Sequence, residues 1–267
     1  MNNFQPMRER VSGLLIGSLG FLSACGGGGG GGSSTASTPT PVANVAVGGI
    51  WTGPDPTTGL QVLGIVSEAG ELYFYRADGA SYFGSVASSG NNVSGSFQGV
   101  TAAGYIFPDG SSYGNGTISG TISARSSLNA TYSFTTAFGT KTSATGTLNF
   151  SSLYNIASSL ASIAGTYADN LDGEVISINS DGSVFAQNPY SGCVTNGQVS
   201  IINANYNSNS VSITESNCVG GSAYLNGQTG TGLAALDTTI SPYHLYFGVV
   251  DTGTSPPVSV YRDLIRQ

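Results

Sequence analysis

Three cysteines, one histidine and one cluster of carboxylates are the side chains with which this chain could do covalent or metal chemistry. An imidazole or thiolate works as a base, nucleophile or ligand only with a partner beside it. His244 starts a strand in Tyr243-His244-Leu245-Tyr246-Phe247 and alternates with aromatics, the setting of a rim residue. There is no Cys-x-x-Cys, Gly-x-Ser-x-Gly or His-Glu-x-x-His, so thiol exchange, acyl transfer and zinc hydrolysis lack their parts. Asp169, Asp172 and Glu174 could flank a glycosidic bond or hold calcium. They surround Asn170 and Gly173, however, as a solvated turn would, and they do not match an EF-hand loop. The expectation is a protein that is not an enzyme, with no catalytic residue, no metal and no cofactor.

The elements that would position these residues are short strands. Gly, Asn and Asp punctuate apolar or alternating runs at 49–52, 60–66, 71–76, 81–87, 92–98, 116–124, 128–136 and 142–149. A second set follows at 165–168, 174–179, 183–187, 197–203, 209–214, 228–236, 243–250 and 257–263. The two sets are weak copies of one plan. Gly49-Ile50-Trp51 matches Gly165-Thr166-Tyr167, Glu68-Ala69-Gly70 matches Ser180-Asp181-Gly182, Tyr82 to Val86 matches Thr195 to Val199, and Asn115-Gly116 matches Asn226-Gly227. Eight consecutive antiparallel strands close on themselves because closure removes both unpaired edges. The fold class expected is therefore all-β, two tandem up-and-down barrels: domain 1 over 45–150 and domain 2 over 164–267. Between them, 151–163 is a linker. Leu153, Ile156, Ala157, Leu160 and Ala164 follow helical spacing with Ser151 or Ser152 as a cap, although an extended linker fits equally. A membrane-spanning barrel needs strands of about 9–11 residues, and most of these runs are shorter.

The barrel plan also pairs two cysteines. If 197–203 and 209–214 form a hairpin turning near Tyr206, paired residue numbers sum to about 411, and so do Cys193 and Cys218. A disulfide Cys193–Cys218 is expected, worth about 3–4 kcal/mol in the chain-entropy model.

Composition narrows the partners. The chain has 7 basic and 14 acidic residues. The five cations after residue 24 (Arg76, Arg125, Lys141, Arg262, Arg266) form no stripe, so no nucleic acid is expected as a partner. Ser, Thr, Asn and Gly supply solubility in place of charge, and all four are poor helix formers.

Leu22-Ser23-Ala24-Cys25 resembles a bacterial lipobox, and what precedes it resembles a secretory signal: Arg8 and Arg10, then a short apolar run from Val11. The resemblance implies a signal peptide over 1–24, cleavage before Cys25 and lipidation of that cysteine, with the membrane as partner. Two or three acyl chains make such an anchor effectively permanent. Gly26 stands where an Asp would signal inner-membrane retention, so the resemblance implies the outer membrane, periplasmic or surface-facing. Residues 25–44, with glycines from Gly26 to Gly32, are then a flexible tether reaching roughly 24 Å. Removing residues 1–24 leaves 5 basic and 13 acidic residues, a net charge near −8.

Gly49-Ile50-Trp51 resembles the Gly-x-Trp of the first lipocalin strand. That resemblance implies a barrel-end plug, Trp51 in one half and Tyr167 in the other, beneath a basic side chain such as Lys141 or Arg262. Two functions follow. One is a structural or protein-interaction role in the envelope, with filled barrels and a protein partner; the other is a module holding a small apolar ligand. Tyr73, Phe74, Tyr75, Tyr82, Phe83, Tyr132 and Phe134 are bulky enough to favour filled barrels if many point inward.

Overall fold

The computed structural model describes residues 43–102, 104–169, 174–254 and 256–267. Within them sixteen strands make two closed antiparallel barrels of eight. The first contains β1 (Gly49–Pro54), β2 (Gln61–Val66), β3 (Glu71–Arg76), β4 (Ser81–Ser89), β5 (Asn92–Val100), β6 (Tyr113–Ser123), β7 (Ser127–Thr136) and β8 (Lys141–Ser151). The second contains β9 (Gly165–Asp169), β10 (Val175–Ile178), β11 (Ser183–Gln187), β12 (Val194–Ile201), β13 (Asn209–Ser216), β14 (Thr229–Asp237), β15 (His244–Asp251) and β16 (Val258–Arg266). Every strand pairs with its sequence neighbours; β1 closes on β8 and β9 on β16. This is the tandem up-and-down arrangement expected from the alternation.

The repeat is structural at its turns. Gly70 and Gly182 both take φ near +85°, where a side chain is strained. Each carbonyl accepts the N–H of a matched valine, Val86 and Val199, at 2.8 Å. Trp51 and Tyr167 are both fully buried on the matched first strands. Asn115-Gly116 and Asn226-Gly227 are not equivalent: the first lies inside β6, the second in the turn before β14.

The linker is not one helix. β8 continues to Ser151, which caps a 3₁₀ turn at Ser152–Asn155 by accepting from Leu153 N–H. A single α-turn at Leu160–Ile163 follows, held by a capping box between Ser159 and Ser162. Leu153 and Tyr154 are buried between the barrels, and Ile163 enters the core of the second.

Alternation fills the interiors. Barrel 2 packs Tyr167, Ile176, Val199, Phe247 and Leu264, with their neighbours, into one core. In barrel 1, Trp51, Val66, Leu72, Val93 and Leu128 fill the lower end, where β1 begins. The outward residues of β6 to β8 are almost all Ser, Thr and Asn. By contrast, Tyr73, Tyr75 and Phe83 on the outer face of β3 and β4 are bulky and are covered by barrel 2. Tyr75 stacks on Tyr261 at 4.4 Å, Phe83 and Val100 meet Val250, and Ile50 and Ile65 meet Ala235 and Tyr246. So of the bulky residues, Phe74, Tyr82, Tyr132 and Phe134 point into barrel 1, while Tyr73, Tyr75 and Phe83 form the joint between barrels. Both barrels belong to one compact unit, Val42–Gln267.

Candidate binding cavity

The upper end of barrel 1, where β1 finishes, is not filled. An apolar cavity of about 100 Å³ opens there, lined by Phe74, Tyr82, Phe97, Ala130, Tyr132 and Leu148 among others. Below it the interior narrows to a residual void of about 10 Å³ against Trp51 and Leu128, at the margin for a single water. The cavity has room because three inward positions of β7 and β8 are small: Ala130, Ala144 and Gly146, set between the larger Tyr132 and Leu148. Phe74, Tyr82 and Phe97 stand on β3 to β5.

Two prolines shape the mouth. β1 pairs with β8 at only Ile50, Thr52 and the residue between them, opposite Ser151, Asn149 and Phe150. Asp55 N–H donates to Leu60 O, which places the odd-numbered backbone groups of β1 toward β2 and the even-numbered ones toward β8. Pro54 and then Pro56 fall on the β8 side, where neither has an N–H to give. The ladder stops, and the 55–60 loop turns inward: Pro56 sits 3.1 Å from where a β-carbon of Gly146 would be. The loop is held by a hydrogen bond between the Thr57 and Tyr132 hydroxyls.

The charged side chains beside the cavity are paired with one another. Asp55 Oδ1 accepts from Thr57 N–H, Thr58 N–H and the Thr58 hydroxyl, and its Oδ2 lies 3.6 Å from Arg76 Nη1. Arg76 donates Nε and Nη2 to Asp78 at 2.9 and 2.8 Å and lies over the Tyr82 ring. Burial raises the Asp78 carboxyl, but its bonds to Arg76 and the Ala80 N–H outweigh that and hold it below the ordinary range. Burial also pushes the Tyr82 phenol up, so it stays a neutral wall. The cavity thus offers a small apolar group a space but holds no unspent charge for an ionic one.

The residues singled out in the sequence fall elsewhere. Trp51 is buried at the lower end, edge-on to Phe150 at 5.5 Å. Lys141 starts β8 at the upper end, so the structure does not bring it to Trp51. Tyr167 donates its hydroxyl to Ile163 O at 2.5 Å. The cation beside it is Arg266, directly opposite in register, which also donates to Ala164 O at 2.6 Å. Arg262 instead lies inside barrel 2 in an ion pair with Asp169 at 2.5 Å. His244 Nδ1 is 2.7 Å from Asp263 Oδ1, on the barrel wall. Cys25 and Asp172 lie outside the described residues.

Cys193 and Cys218 form a disulfide. The hairpin register is Val194↔Ser216, summing to 410 rather than 411. Asn217, at φ +58°, takes up the extra residue and returns Cys218 to face Cys193. Glu215 brings a carboxylate within 4.8 Å of both sulfurs, but the sulfurs are bonded to each other and the carboxylate accepts from the Thr195 hydroxyl. Metal binding would need free thiolates.

Sequence reasoning missed the cavity, Asp55 and Asp78. A usable signal was present: Arg76 alternates with Leu72 and Phe74 and so points inward, two residues before an Asp. Alternation along one strand cannot show that Ala130 and Gly146 come to face Phe97, because they are thirty or more residues away in sequence. No protein-family model matches the chain, and no curated protein is recognisably similar to it.

Proposed function

We propose that this is a lipid-anchored, non-enzymatic interaction module of the bacterial outer membrane, in which barrel 1 receives one small apolar group and barrel 2 is a filled support. The observation that carries the reading is the difference between two copies of one plan. Barrel 2 has one continuous apolar core and a disulfide, whereas barrel 1 keeps an apolar space at one mouth. The space is about two-thirds of the roughly 150 Å³ hole that holds benzene in an engineered lysozyme. It suits a single ring, a branched side chain or the end of a longer molecule, with the open mouth taking the remainder.

The anchor rests on Leu22-Ser23-Ala24-Cys25, and the chain enters barrel 1 at the lower end, opposite the mouth. Native mass spectrometry tests the reading on a soluble form beginning at Pro41, which keeps the compact unit, exported to a periplasm and purified without detergent. A bound mass displaced by toluene supports it. A bare chain that also ignores toluene and small peptides overturns it. Labelling of the full chain with an alkynyl fatty acid, lost in Cys25→Ser, tests the anchor separately.

A further inference from the structure

The seam between β1 and β8 leaves a stretch of sheet edge unpaired. Phe150 N–H donates to Ser126 O and Thr136 N–H to Thr140 O. In the β7–β8 register this turns the even-numbered backbone groups of β8 toward β7 and the odd-numbered ones toward the seam. Asn149 and Ser151 are met there by β1. Pro54 and Pro56 would stand opposite Thr147 and Thr145 and cannot donate. The N–H and C=O groups of Lys141, Ser143 and Thr145 therefore face outward with no strand opposite them among the described residues. An exposed row of this kind is a template for another chain.

We propose that this edge is a strand-addition site for an extended peptide segment of a partner protein, and that the segment's inward side chain fills the barrel 1 cavity. The proposal rests on the binding reading above and names what supplies the apolar group. Main-chain hydrogen bonds along an added strand give affinity, and a pocket for alternate side chains gives specificity. Both parts are adjacent here: Gly146 and Leu148 of β8 line the cavity, as do Pro54 and Pro56 across the seam. The chemistry of the segment follows from the register. Residues opposite Ala144 and Gly146 point inward and must be apolar, the one opposite Gly146 displacing the Pro56 ring that rests there. Residues opposite Ser143 and Thr145 lie on a hydroxyl-rich outer face and are polar and uncharged. An acidic residue opposite Lys141 pairs with the one charge on the edge. A strand antiparallel to β8 would run in the direction of β1, taking up the path that the prolines make β1 abandon.

The test uses the form beginning at Pro41 and the probe peptide acetyl-Thr-Phe-Thr-Val-Thr-Val-Glu-amide, with a second peptide carrying Ala in place of Phe. Amide hydrogen exchange read residue by residue should show Lys141, Ser143 and Thr145 exchanging freely without peptide and slowly with it, and the Phe peptide should bind more tightly. Thr145→Pro removes an outward N–H that the β7 ladder does not use. It should weaken the peptide about tenfold, the worth of one main-chain hydrogen bond, with the far-UV spectrum and Trp51 fluorescence unchanged. Ala130→Leu fills the cavity and should erase the advantage of Phe over Ala. The proposal is overturned if these amides are already protected in the free protein, as a second copy on the edge would make them. It is equally overturned if the peptide does not bind at millimolar concentration, or binds both variants as it binds the parent. A small molecule found in the cavity together with a peptide that fails would sink strand addition while leaving the binding reading standing.

Discussion

Single atoms decide how closely the two barrels approach. A β-carbon at Gly248 would land on the Tyr75 hydroxyl. Tyr75 cannot move aside: it is 2% exposed and stacked on Tyr261, and its hydroxyl has no hydrogen-bond partner among the described residues. Gly248→Ala should therefore lose about 1–3 kcal/mol through overpacking, measured by urea unfolding. Tyr75→Phe removes the buried hydroxyl at little or no loss, and adding it to Gly248→Ala should restore part of the stability. An equal cost in both backgrounds would place the strain elsewhere. Glu215 makes a pH-dependent contribution. Burial raises its carboxyl above the ordinary value, and the Thr195 hydroxyl only partly offsets this. Because the folded pKa lies above the unfolded one, the favourable contribution is complete below the ordinary glutamate range and is lost as pH rises through the folded value. Glu215→Gln keeps an acceptor for Thr195 and removes the titration. Its Tm relative to the parent should therefore be higher at pH 7.5 than at pH 4; a gap that does not widen with pH would exclude this ionisation as the cause.

At the scale of elements, the Cys193–Cys218 bridge closes the open end of the β12–β13 hairpin and ties the 188–193 and 217–228 loops together. Replacing both cysteines by serine should cost about 3 kcal/mol in the chain-entropy model, with amide exchange rising most in those two loops. Uniform acceleration across β9 to β16 instead would mean that the bridge acts on the whole barrel. The strands themselves were legible because each inward–outward alternation ends at a residue that reverses the chain, such as Gly70, Gly79 or Gly182, all with positive φ. The disulfide was legible for the same reason, to within the one residue that Asn217 absorbs. Alternation names the two faces of a strand but not what covers the outer one. Tyr73, Tyr75 and Phe83 therefore looked like filling for barrel 1 when they are its joint with barrel 2. The plug cations failed for a related reason. Lys141 shares a strand with Phe150, which touches Trp51, but lies nine residues up that strand. Arg262 and Arg266 lie on one face of β16, and only the register against β9 decides which of them meets Tyr167. Pro54 and Pro56 were not singled out in the sequence. Their consequence, an unpaired edge on a strand almost a hundred residues away, required the closure of the barrel to be known.

The whole molecule should unfold as one body despite its two barrels. The linker is not a spacer but part of the joint. Tyr154 is fully buried, donates its hydroxyl to Glu68 of barrel 1 at 2.5 Å and stacks at 4.9 Å on Tyr206 of barrel 2. Asn207, buried beside it, donates to Leu153 O and Leu236 O and accepts from Leu236 N–H, so the linker, barrel 2 and the apolar joint share one hydrogen-bonded patch. Exposing Ile50, Ile65, Tyr75 and Phe83 would cost apolar burial on both partners at once, so either barrel alone is less stable than the pair. A convenient reporter exists: the chain has one tryptophan, Trp51, inside barrel 1. In urea, Trp51 fluorescence should follow barrel 1 only, while far-UV circular dichroism follows both. The two curves should coincide for the parent protein. They should also coincide, at a lower midpoint, after the disulfide of barrel 2 is reduced, although no sulfur lies in the barrel that the tryptophan reports. Tyr154→Ala removes the shared patch and should separate the curves, with fluorescence changing first because barrel 1 has an unfilled end and no cross-link. Curves already separate in the parent would show that the joint carries too little energy to couple the barrels, and that the mouth of barrel 1 can open independently of its neighbour.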